Sequence, residues 1–163
     1  MTVLYSTGCI TKLLGAATAT GSVVTVPGAN GLKGLLDNGV IRVYSGAQPA
    51  SADAAPTGTL LGSITKDGAS YTEGVVTNGL VLAAPSGRSV SKSSDVWKLT
   101  GVASGTAGYG RYQSLAVDDD SVSTTLVRVD FSIGITSGDM RVTSVTTSIG
   151  STATVDSFSI VAA

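Results

Sequence analysis

Residues 40 to 65 read Val40-Ile-Arg-Val-Tyr-Ser-Gly-Ala-Gln-Pro-Ala-Ser-Ala-Asp-Ala-Ala-Pro-Thr-Gly-Thr-Leu-Leu-Gly-Ser-Ile-Thr65. A β-branched strand, a connection of small residues and a second strand follow one another. The connection, Gly46 to Gly58, is too long for a tight hairpin and has no periodicity, so it reads as an ordered crossing of a sheet end. Pro49 and Pro56 restrain it by fixing their own φ and biasing Gln48 and Ala55 away from helix, which lowers the entropy lost on ordering. Tyr44, Gly46, Pro49, Asp53, Gly58 and Leu61 are its candidate organising or contact residues. Asp53 is expected to hydrogen-bond the loop's own backbone.

On the N-terminal side, Leu32, Leu35 and Leu36 lie at i, i+3 and i+4. They predict a short helix with Asn30 as N-cap and Gly39 as its left-handed terminator. Two or three turns are marginal alone, so the leucine face must pack on the sheet that begins at Val40. Ser22 to Val26 reads as a brief strand ended by Pro27-Gly28. The segment Cys9 to Leu14 reads as one or two helical turns, either tucked on the domain's own core, which we favour, or reaching a neighbour as an arm. Cys9 is the sole cysteine and the chain has no histidine, so Cys9 reads as a small buried hydrophobe.

On the C-terminal side, turn signals punctuate further strands. Tyr71 to Thr77 is expected to turn at Asn78-Gly79 into Leu80 to Leu82 as a hairpin, and residues 84 to 94 read as a loop. Asp95 to Leu99 reads as a strand placing Val96 and Trp97 on opposite faces, with Trp97 a core anchor. Arg111 to Val117 is another strand candidate. Val127, Val129, Phe131, Ile133 and Ile135 alternate with polar residues, which predicts one buried face and one open one. Met140 to Ile149 and a last strand carrying Phe158 and Ile160 complete the set. The expected fold is all-β, an antiparallel β-sandwich or jelly-roll-like barrel with one short N-terminal helix. The 163 residues form one domain, with an N-terminal arm or helix over about residues 1–39.

Composition narrows function by exclusion. Charged residues are 13% of the chain against roughly 25% in an average domain, and the mean hydropathy is +0.35. A surface of hydroxyls and glycine is weakly protected against association, which implies cover by partners. The net charge of −1, with ten scattered Lys and Arg, argues against nucleic acid. No apolar run approaches the roughly 18 residues of a membrane span, and no signal-peptide pattern opens the chain, so cytoplasmic synthesis and assembly is the expectation. The absence of histidine removes Ser-His-Asp and Cys-His arrangements and most zinc sites. Asp118-Asp119-Asp120 lacks calcium-loop spacing and reads as a solvated turn whose charges discourage edge pairing. Arg111 and Arg128 lie in strands, each positioned to pair with an aspartate across the sheet or across a subunit boundary. No catalytic residue, cofactor or metal is expected, and the chain does not read as an enzyme.

The leucine helix followed by Asn38 through Leu61 resembles a family of small virion structural proteins of tailed bacteriophages. Trp97 followed by Gly105 to Arg111, then Ser137 to Met140, and finally Val155 to Ile160, resemble that family's pattern in the same order. The resemblance covers most of residues 30 to 163 and implies a structural protein of the virion. Joined to the low-charge β domain, it leads us to expect a decoration or cement protein on the capsid exterior. Its expected partners are the major capsid protein and itself, as a homotrimer near local threefold axes. The alternatives are a tail or head-to-tail component, or a receptor or carbohydrate-binding module.

Overall fold

The two strands of the 40 to 65 stretch pair as expected from their β-branched content. The computed structural model describes residues 3–14, 18–20, 23–25 and 31–161. In it, β4 (Val40–Tyr44) and β5 (Leu60–Lys66) are antiparallel, with Ile41 opposite Ile64 and a register shift between Val43 and Tyr44. Before them come β1 (Leu4–Tyr5), α1 (Thr7–Leu13), the paired β2 (Thr18–Thr20) and β3 (Val23–Thr25), and α2 (Gly31–Leu36). After them come β6 (Ser89–Ser91), β7 (Trp97–Gly101), β8 (Gly105–Thr106), β9 (Tyr109–Gln113), β10 (Arg128–Gly134), β11 (Met140–Val142), β12 (Thr146–Thr147) and β13 (Thr152–Val161).

Seven of these strands close a barrel in the order β10-β11-β13-β7-β5-β4-β9 and back to β10. Within it, β9-β4-β5-β7 has the order of a Greek key: three successive strands, with a fourth returning beside the first. An odd ring cannot alternate direction all the way round, so at least one neighbouring pair must be parallel. That pair is β10 and β11, with Ile133 opposite Met140, and every other neighbouring pair in the ring is antiparallel. The connection between the parallel strands is only residues 135–139. Asp139 pins it by accepting hydrogen bonds from the backbone N–H and the hydroxyl of Ser132.

The barrel interior is filled by Ile41, Val43, Ile64, Leu99, Val129 and Met140 around four rings, all buried. Phe131 and Phe158 lie 4.9 Å apart between centroids, and Trp97 meets Tyr112 edge-on at 6.1 Å. Gly110 faces the Phe131 ring, which would lie 2.6 Å from a Cβ there, so only glycine lets the ring cross β9. Trp97, Leu36, Val129, Phe131, Phe158 and Ile160 are buried, while Leu32, Leu35 and Ile133 are half-buried against the same core. Val96 is exposed on the face opposite Trp97.

The structure departs from the sequence reading in several places. Tyr71 to Thr77 forms no strand, and Leu80 and Leu82 make only isolated bridges, to Gly39 and Lys92. Asn78 does take the left-handed conformation, at φ 63°. However, its two flanks are drawn to different partners: Leu80 and Leu82 bridge Gly39 and Lys92, while the Gly74 N–H donates to the Leu115 carbonyl and Glu73 accepts from Arg42. The left-handed residue after α2 is Asn38 (φ 64°), not Gly39. Gly39 is required for closeness instead, since a Cβ there would fall 2.1 Å from the Gln113 carbonyl oxygen. The 84 to 94 stretch contains β6, paired to the end of β13. Met140 to Ile149 is broken into β11 and β12, and the Arg111 strand runs from Tyr109 to Gln113. The proposed caps Asn30 and Pro27-Gly28 lie outside the described residues.

Candidate functional site

The alternation in β10 predicts an open outer face, yet Arg128 and Asp130 on that face are as buried as Val129 and Phe131. The reason is a second layer. Residues 45–59 and 114–127 cover the outside of β9, β10 and the Tyr44 end of β4, where Ala54 and Thr57 meet Arg111 and Tyr109, and Asp118 and Asp120 meet Arg128, Gln113 and Tyr44. Cross-strand register assembles the polar surface of these strands: Arg42 and Asp130 both lie opposite Arg111, Tyr44 opposite Tyr109, and Arg128 opposite Gln113.

Two forked ion pairs anchor the layer. Arg111 grips both oxygens of Asp130, through Nε at 2.7 Å and Nη2 at 2.8 Å, and its Nη1 donates to the carbonyl of Ala54 in the loop at 2.9 Å. Arg128 grips both oxygens of Asp118, and all four side chains are almost wholly enclosed. Such pairs contribute geometry more than energy, but removing one partner strands a buried charge. Burial raises the Asp130 carboxyl from its ordinary value, outweighing the opposing pull of Arg111.

Around these pairs the network continues. The Tyr44 hydroxyl donates to Asp120, Asp120 also accepts from Gln113, and the Tyr44 ring stacks on Tyr109 at 5.4 Å. Burial and the Asp120 hydrogen bond push the Tyr44 hydroxyl pKa well up, so it stays a donor. The Thr57 N–H donates to the Tyr109 hydroxyl, and the Thr57 hydroxyl donates to the carbonyl of Ala47 within the loop. Glu73 accepts from Arg42 at 2.6 Å and from the Asp118 N–H.

The six loop candidates take different places. Tyr44 and Pro49 are buried and organise the loop from beneath, whereas Leu61 belongs to the barrel core. Gly46 and Gly58 meet at the loop's neck, where a Cβ on Gly58 (φ 74°) would lie 2.2 Å from the Gly46 nitrogen. The Asp53 carboxylate does not serve its own loop. It accepts from the Thr7 N–H at 2.7 Å and the Thr7 hydroxyl at 2.6 Å, tying the loop to α1. Helix α1 is in turn N-capped by Ser6, which also accepts from the Arg128 N–H and donates to the Leu126 carbonyl. Cys9 is buried, while Ile10, Leu13 and Leu14 face outward.

The solvated-turn reading of Asp118 to Asp120 is corrected: only Asp119 faces solvent, and Asp118 and Asp120 are consumed inward. Among the described residues, no group of three His, Cys, Asp or Glu side chains could hold a metal ion. Arg42, Glu73, Gln113 and Thr57 escaped the sequence reading. The readable signal was a charged or amide residue at alternate positions of otherwise apolar strands, at 42, 111, 113, 128 and 130. What the arrangement does chemically is fasten a long loop, with Asp53 its one charged residue, to a barrel wall. No family model matches the chain, and neither the curated proteins nor the solved structures include a significant match.

Proposed function

We propose that the protein is a non-enzymatic virion structural protein of a tailed bacteriophage, a decoration protein that binds the capsid exterior and bridges capsid subunits. The observation that carries this reading is the locked 45–59 layer. It is held by the buried Arg111 at the Ala54 carbonyl, by the Tyr109 hydroxyl at Thr57 and by Asp53 at Thr7, while its exposed positions are Ser45, Ala47, Ala50, Ser51, Ala55, Thr57, Gly58 and Thr59. A surface of small uncharged side chains loses little rotamer entropy on docking, and a pre-ordered loop has already lost its backbone freedom. Many copies acting together turn modest contacts into strong retention. In this reading the partners are the major capsid protein and two further copies of the chain, and the place is the outside of the virion.

A jelly-roll-like wrap is the finer fold description that accompanies this reading, supported by the Greek-key order of β9-β4-β5-β7. A tail or head-to-tail component is the second reading, favoured by the same locked layer and separated by position in electron micrographs. A receptor module with an aromatic platform has less support, because both Phe, the Trp and three of the five Tyr are buried.

The test is reconstitution. Purified protein added to capsids lacking it should bind saturably and raise their resistance to heat. Failure to bind capsids, with binding to isolated tails instead, would transfer the protein to the second reading.

A further inference from the structure

Among the described residues, an open cleft of about 130 Å³ lies where Arg42 of β4 faces Ser63 of β5, lined also by Thr65, Ser70 and Tyr71. We propose that this cleft binds one neutral pyranose ring, either of a free sugar or of a glycan terminus. This inference stands apart from the virion reading.

The hydrogen-bonding inventory comes first. A guanidinium has five N–H donors. Arg42 commits three of them: Nε to Gln113 at 3.3 Å, Nη1 to Ser63 at 3.0 Å and Nη2 to Glu73 at 2.6 Å. One N–H on each terminal nitrogen is left over. Ser63 accepts from Arg42 and keeps its own O–H to give. The Tyr71 hydroxyl donates to the Asn38 carbonyl and the Thr65 hydroxyl to the Ala69 carbonyl, so both side chains are fixed in place while their oxygens can still accept. The cleft therefore offers three uncommitted donors beside two held acceptors, which suits adjacent hydroxyl groups.

Charge then selects among ligands. Glu73 already balances Arg42, so an anion gains no excess positive charge and meets a carboxylate. A cation meets Arg42. Shape selects further: the half-buried Tyr71 supplies apolar wall for the C–H face of a ring.

The experiment is a two-dimensional ¹H–¹⁵N NMR titration of the whole chain with methyl α-glycopyranosides of glucose, galactose and mannose. Inorganic phosphate forms a parallel arm. A Kd on the order of 1 mM is expected for at least one hexoside, from the usual yield per ligand atom. The shifts should be confined to residues 40–42, 63–65 and 69–71. Ser63→Ala, which removes a donor and no packing, should weaken binding about threefold to tenfold. A hexoside that binds alone marks a free-sugar site, whereas tighter binding of a longer oligosaccharide ending in it marks a glycan site; both support the proposal. It is overturned by absence of shifts at about a hundredfold above that Kd, by shifts mapping elsewhere, by an unchanged affinity in Ser63→Ala, or by phosphate binding more tightly at the same residues.

Discussion

Asp118, Asp119 and Asp120 are adjacent and chemically identical, yet the fold gives each a different task. Asp118 is enclosed with Arg128, Asp120 accepts from Tyr44 and Gln113, and Asp119 bonds only Ser121 at the surface. Replacing Asp118 by Ala should therefore cost about 3–5 kcal/mol of unfolding free energy, as should Asp130→Ala, because each strands a buried guanidinium. Asp119→Ala should stay within about 0.5 kcal/mol. Urea unfolding of the three variants checks this; equal losses for Asp118→Ala and Asp119→Ala would contradict the sealed layer. Cys9 makes a second prediction. Burial pushes its thiol up to about 12, so it should resist thiol reagents until the chain unfolds. The sign for stability follows from the raised value. The neutral thiol's contribution is complete below the unfolded pKa of about 8.5 and is lost as pH rises toward the folded value, by up to about 2 kcal/mol at pH 10. Urea melts at pH 7 and pH 10 should show this loss in the wild type and a smaller one in Cys9→Ala.

At the scale of elements, local signals served where one face decides a segment. The β4–β5 pair follows from β-branched content, and the buried Val127, Val129 and Phe131 and the opposed Val96 and Trp97 follow from side-chain alternation, although Ile135, past the end of β10, is exposed. The same rule misread the outer face of β10, because alternation reports polarity and not burial. Arg128 and Asp130 look solvent-bound, but Asp118, 10 residues before Arg128, folds over it in the 114–127 segment, and Arg111, 19 residues before Asp130, sits opposite it on β9. Asn78-Gly79 failed for a related reason: a turn dipeptide specifies a bend, but whether a ladder flanks it depends on where its two flanks find partners. Asp53 was legible as a loop residue, while its partner Thr7, 46 positions away, was not. That link carries a prediction. Asp53→Ala should cost about 1–3 kcal/mol through loss of two hydrogen bonds to a charged acceptor, and should hasten amide exchange across Thr7 to Ile10. Exchange unchanged at those amides would show that Ser6 alone holds α1.

For the whole molecule, seven strands in a closed ring force the parallel β10–β11 contact, and that contact depends on Asp139 holding residues 135–139 compact. Closure also consumes both edges of β4, β5 and β9, so on the proposed reading a partner would meet loops, helix faces or the strands outside the ring. The exposed Ile10, Leu13 and Leu14 of α1 are one such face. If the chain works as a trimer, light scattering behind gel filtration should give three times the 16.1 kDa chain mass, and Leu14→Asp should shift it toward monomer if that face takes part. Copy number speaks most directly to the central claim. If the proposed virion reading holds, quantitative mass spectrometry of purified virions that carry the chain should find hundreds of copies per particle, in fixed ratio to the major capsid protein. A few copies per particle, or none, would contradict the account.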